Sequence, residues 1–139
     1  MNQVLVNKQP LTVSKDSLRI LLAEADGDLR RLLALVLGRD GHDVIQVRDG
    51  GALLEALASG PVDRGAPQFD LVISEQRLPG IQGMTVLAGL RARDNEIHFV
   101  LICGDPPTQQ QARDLGGVVV DSPFDVEAIR GAVRMAGAR

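Results

Sequence analysis

Apolar residues fall in short dense runs along this chain. Each run is followed by a stretch whose apolar positions repeat every three or four residues. RILLA (Arg19–Ala23) reads as a buried strand. Asp26-Gly27-Asp28 breaks it and suits a turn with a helix N-cap; Leu29, Leu32, Leu33, Val36 and Leu37 then keep helical spacing until Gly38 and Gly41. DVIQV (Asp43–Val47) alternates as a strand does. Asp49-Gly50 can cap a second helix with Leu53, Leu54 and Leu57 on its apolar face. GPVDRGAP, residues 60–67, is a loop longer than most connections of its kind. DLVIS (Asp70–Ser74) predicts the third strand, and Met84, Val86, Leu87 and Leu90 the third helix, with Pro79-Gly80 in the loop between. HFVLIC, residues 98–103, predicts the fourth strand. Pro106-Pro107 opens a polar fourth helix, TQQQARDL, because proline fits a first turn. GVVVD is the fifth strand, and Pro123 and Asp125 start a last helix with Val126, Ile129 and Val133 on one face. Residues 1–17 hold no lasting period and read as an arm ahead of one domain over 18–139.

Strands that are apolar nearly throughout, alternating with helices, predict an α/β fold with a parallel sheet covered on both faces. In such open sheets the functional crevice lies beyond the carboxyl ends of the strands. The residues to watch are therefore Glu24, Ala25 and Asp26 after the first strand, and Glu75 after the third. Cys103 and Gly104 follow the fourth, and Asp121 and Ser122 the fifth.

Composition narrows the classes of function. The formal charge is −3, and aromatics make up 2% with no Trp or Tyr, so the core must be aliphatic and no basic, aromatic-laced surface for nucleic acid is expected. One cysteine excludes an internal disulfide framework and suits a reducing compartment. No apolar run approaches the roughly 18 residues of a membrane span, and MNQVLVNKQP lacks the pattern of a signal peptide. The expectation is a cytoplasmic protein with no membrane partner and no output domain after the last helix.

ILLAEADGDLRRLL, VRDGGALLEAL, FDLVISEQRLPGIQG, VLICG and VVVDSPFD, in that order and spacing, resemble the segments of bacterial response-regulator receiver domains. The likeness covers about residues 18 to 136. It implies a flavodoxin-like, doubly wound, five-stranded parallel sheet with five helices and strand order 2-1-3-4-5. Family members accept a phosphoryl group on an Asp, with Mg²⁺ held by two acids after the first strand. On this chain those acids fall on Glu24 and Ala25, and the acceptor on Glu75. The Thr or Ser that contacts the phosphoryl group falls on Cys103, the Lys before the x-P-F proline on Ser122, and the aromatic switch residue on Val119. The resemblance also implies a cis bond between Ser122 and Pro123.

None of the five chemical positions keeps its family residue. Phosphoryl transfer depends on positioning and on neutralising the transferred charge. Mg²⁺ needs oxygen ligands at short, fixed distances, and a misplacement of about 1 Å can lower the rate ~10²-fold. The expectation is a degenerate receiver: no enzyme, no cofactor, no metal, and signalling through protein–protein contact without phosphorylation control. The alternative is an unorthodox receiver that takes phosphate on Glu75 with metal held by Glu24 and Asp26. Glu75 itself has three readings: acceptor, fixed mimic of a phosphoryl group, or relic at a solvated sheet edge. The relic is favoured, because carboxylates are mostly exposed and Cys103, Ser122 and Val119 are poor readers of negative charge.

Other constellations carry less. Glu24-x-Asp26-x-Asp28 lacks the glycine of a calcium loop, and no base accompanies Cys103 as a nucleophile. A small-molecule sensor has no convergent polar pocket behind it. The expected interaction face, for a partner or a second copy, is helix four from Pro107 to Leu115 with strand five. Gln110, Leu115 and Val119 mark it. Gln109, Gln110 and Gln111 form a neutral row there, and Ala112 and Leu115 are its only apolar anchors, so low local stability is expected. Leu35 on helix one marks the competing site.

Overall fold

The computed structural model describes residues 17–59 and 68–138. The loop over 60–67 and all of the arm but Ser17 lie outside them. Strands and helices alternate: β1 (Arg19–Ala23), α1 (Gly27–Arg39), β2 (Asp43–Val47), α2 (Gly50–Ala58), β3 (Leu71–Glu75), α3 (Gly83–Ala92), β4 (His98–Ile102), α4 (Pro106–Asp114), β5 (Val118–Val120) and α5 (Val126–Gly137). The strands form one parallel sheet in the order β2-β1-β3-β4-β5, as the resemblance implies. No helix among the described residues is long and apolar enough to cross a membrane.

Alternation along each strand sorts the core into two layers. Ile20, Leu22, Leu71, Ile73, Val100 and Ile102 face one side, where Leu33 and Leu37 of α1 and Ile129 and Val133 of α5 cover them. Leu21, Ala23, Val72, Phe99 and Leu101 face the other, covered by Leu53 of α2, Met84, Val86 and Leu87 of α3 and Ala112 of α4. On α1 the apolar stripe is narrower than its spacing predicts. Leu29 and Leu32 are exposed, and Leu33 and Leu37 carry the packing. A helix lying on a sheet buries only the residues that point down, and the flanks of the stripe stay in water.

Aspartates cap four of the helices. Asp26, Asp49, Asp105 and Asp125 each accept from backbone N–H groups of the first turn of α1, α2, α4 and α5, which satisfies donors that otherwise have no partner. Arg130 of α5 donates to both oxygens of Asp40 at the end of α1, at 2.8 Å each. This bidentate pair ties the two helices on one face of the sheet together and draws the Asp40 carboxyl below its ordinary range.

Candidate functional site

The chain runs from β1 outward to β2, then returns to β3 on the far side of β1. A crevice is expected at that reversal, beyond the carboxyl ends of the two strands. Ala23 pairs with Ser74, so the next residues, Glu24 and Glu75, emerge side by side. The sequence puts both carboxylates at one switch point, and the sheet register brings them together.

Glu24 is 5% exposed. Its Oε2 accepts from the Asp26 N–H at 3.1 Å, and Oε1 has no partner among the described residues. Glu75 is partly buried and lies beside Glu24. Burial pushes the Glu75 carboxyl up from its ordinary 4.5 to about 7; the Glu24 carboxylate adds to the rise, while the Arg77 backbone N–H and guanidinium oppose it. The solvated setting expected of Glu75 is corrected here: it is partly buried beside an enclosed Glu24.

The groups around the pair have other tasks. Asp26 Oδ1 accepts from the N–H groups of Asp28 and Leu29 at 3.0 and 3.2 Å, as the cap of α1. Ala25 is exposed and offers no ligand. Cys103 is buried, and its Sγ accepts from the Asp105 N–H at 3.4 Å. Ser122 is exposed, and the Ser122–Pro123 bond is cis as expected. A Cβ on Gly104 would lie 3.0 Å from the Ser122 carbonyl oxygen, so the loops after β4 and β5 stand close together.

Magnesium, which the resemblance implies, does not fit this set of donors. Among the described residues no three His, Cys, Asp or Glu side chains are grouped as a metal ion would need. Asp26 is committed to the helix cap, and Glu24 has one free oxygen.

On the expected interaction face, Gln110 is exposed and donates to Asp114 at 2.8 Å. Leu115 caps α4 and packs, with Val119, against the layer of α2, α3 and α4. A groove of about 490 Å³ runs beside β5 and α5, lined among others by Val119, Pro123, Ala128, Ala132 and Met135. Gln109 does not belong to the neutral outer row. Its side chain is buried, with Nε2 donating to the Cys103 carbonyl at 2.6 Å and to Asp121 Oδ1 at 2.7 Å. Sequence reasoning missed this, although the signal was there: Gln109 stands three residues before Ala112, so both share the inner face of α4.

Residues 20–134 match the family described as response regulator receiver domain. The chain is similar to the transcriptional regulatory protein FixJ of Azorhizobium caulinodans, with 33% identity over 122 residues that make up 86% of this chain and 54% of that one. It is also similar to sporulation initiation phosphotransferase F of Bacillus subtilis, with 28% identity over 119 residues, 84% of this chain and 90% of that one. It therefore spans about half the length of the first relative and nearly all of the second. The solved receiver domain of the Francisella response regulator 1452 superposes with a TM-score of 0.77 over 88% of this chain and 98% of that one; at 15% identity this is a likeness of fold alone.

Proposed function

The chain belongs to the response regulator receiver domain family, and from that premise we propose that it is a protein-binding module of two-component signalling whose binding face is not governed by phosphoryl transfer. The observation that carries this reading is the Glu24–Glu75 pair. A receiving site needs cations against the transferred group. Here the acceptor position faces a buried carboxylate, Ala25 supplies no ligand, and no Lys stands at Ser122. One observation favours the second reading, in which Glu75 still accepts a phosphoryl group: Glu24 Oε1 is buried without a donor among the described residues, as an oxygen meant for a cation would be.

Incubation with a small phosphodonor and Mg²⁺, followed by intact-mass spectrometry, separates the two. The expected result is no adduct. An adduct that vanishes in Glu75→Ala overturns the proposal. Restoring one residue alone is expected to leave the result unchanged, because groups that act as a unit are non-additive.

The binding face proposed is that of α4, β5 and α5, with Met135 exposed beside the groove at its centre. The competing face is α1, where Leu35 is 53% exposed. Gln110→Glu is expected to weaken association with a partner or a second copy, as read by light scattering and pull-down, and Leu35→Glu to leave it unchanged. The reverse pattern moves the interface to α1.

A further inference from the structure

Helix α4 is pinned at both ends, and one of the pins reaches the carboxyl ends of two strands. At its first full turn the Gln109 carboxamide uses both N–H bonds, one on the Cys103 carbonyl just beyond β4 and one on Asp121 Oδ1 just beyond β5. At its last turn the Leu115 carbonyl accepts from Arg91 Nε of α3 at 2.7 Å. That Arg91 side chain is itself nearly buried, and its Nη1 donates to the Asn95 carbonyl at 2.8 Å. The α4-to-β5 turn adds a third constraint, because the Gly117 N–H donates to the Ala112 carbonyl at 2.8 Å. Helix α4 has few apolar anchors, and these polar contacts add to them.

We propose that Gln109 is a latch, the residue that sets the position of α4 against β5 and holds the face of α4, β5 and α5 in one arrangement. The two grips fall on consecutive residues at the carboxyl end of β4 and use different carbonyls. Glu75 touches β4 through its backbone pairing with Ile102 and through the Gln76 N–H on the Ile102 carbonyl. Gln109 holds the next carbonyl along, that of Cys103, from the opposite side of the strand end. A hydrogen bond from a buried amide to a carboxylate is among the stronger kinds, and losing it also leaves the Cys103 carbonyl without its donor. The inference deepens the proposed function by giving a physical reason for a binding face that does not switch. The latch itself does not depend on that reading.

Native-state hydrogen exchange on the whole chain, read by mass spectrometry, tests it. Gln109→Met keeps the length of the side chain and removes the donors. Asp121→Ala removes one acceptor from an exposed position and leaves the core untouched. Exchange in α4 and β5 is expected to rise roughly ten- to hundred-fold in Gln109→Met and several-fold in Asp121→Ala, with α1 unchanged in both. The double variant is expected to match Gln109→Met alone, since the two residues form one bond. Unchanged α4 exchange in both variants, an equal rise in α1, or additive effects in the double variant overturn the latch. If Gln109→Met does not fold, Asp121→Ala decides on the same criterion. Wild-type chain incubated with phosphodonor serves as a separate arm. A Glu75 adduct there ends the proposed function, and α4 exchange in the variants still decides the latch on its own.

Discussion

Gly50→Ala is expected to lower the stability of the fold by about 3 kcal/mol and its melting temperature by roughly 10 °C. Gly50 opens α2, is buried, and donates its N–H to the Pro79 carbonyl at 3.1 Å. A Cβ built there would overlap the Ile81 carbonyl oxygen and lie 2.7 Å from Ile81 Cβ. The clash is with backbone, so no side-chain rotation relieves it. Either α2 must withdraw from the sheet or the loop after β3 must move, and that loop starts next to Glu75. Gly51→Ala is the matched control. Its Cβ would meet only Asp49 Oδ1, at an ordinary 3.5 Å, and alanine is the better helix former by about 0.5–1 kcal/mol. Chemical denaturation of the two variants checks the contrast. If Gly50→Ala unfolds with the wild type, the contact between α2 and the β3–α3 loop is soft and does not position the site.

The fold was legible because each layer of the structure left its own period in the sequence. Strand runs such as RILLA and HFVLIC are apolar after their first residue because the parallel sheet is covered on both faces. Three caps announced themselves as aspartates, Asp26, Asp49 and Asp125, directly ahead of α1, α2 and α5. The neighbouring placement of Glu24 and Glu75 followed from topology, since two strands beside one switch point must end side by side. What the sequence hid was the depth of that pair. A carboxylate at the end of a strand looks solvated in a list of residues, and only the packed loops around it show that Glu24 is enclosed. Gln109 was hidden for a related reason. Three consecutive glutamines read as one polar surface, yet a helix turns each by about 100° from the last, and only the first points at the strand ends. Leu29 and Leu32 failed in the opposite direction, as apolar residues on the flanks of a stripe that buries only its centre.

Glu75→Gln is expected to stabilise the fold at pH 8 by about 1–2 kcal/mol and to change it little at pH 4.5. Burial and the facing Glu24 carboxylate raise the folded Glu75 carboxyl from 4.5 to about 7. Between those values the folded chain holds a proton that the unfolded chain releases, so stability falls as pH rises through the interval. Below 4.5 both states are protonated and the group contributes no penalty; above about 7 both are ionised and the penalty is complete. Taken in full, the interval corresponds to about 3 kcal/mol; Glu75 is only half-buried, and solvent screening reduces the figure to the range given. The protonated acid can donate to the facing Glu24 carboxylate. A glutamine carboxamide can make the same donation at every pH, so the variant keeps the bond and loses the pH dependence. Urea melts of both proteins at pH 4.5, 6 and 8 measure this directly, and pH effects from other groups such as Asp40 cancel in the difference. A stability difference that is the same at pH 4.5 and pH 8, or a variant less stable at pH 8, would mean that the two carboxyls are not in repulsive contact. The proposed function would then lose the observation on which it rests.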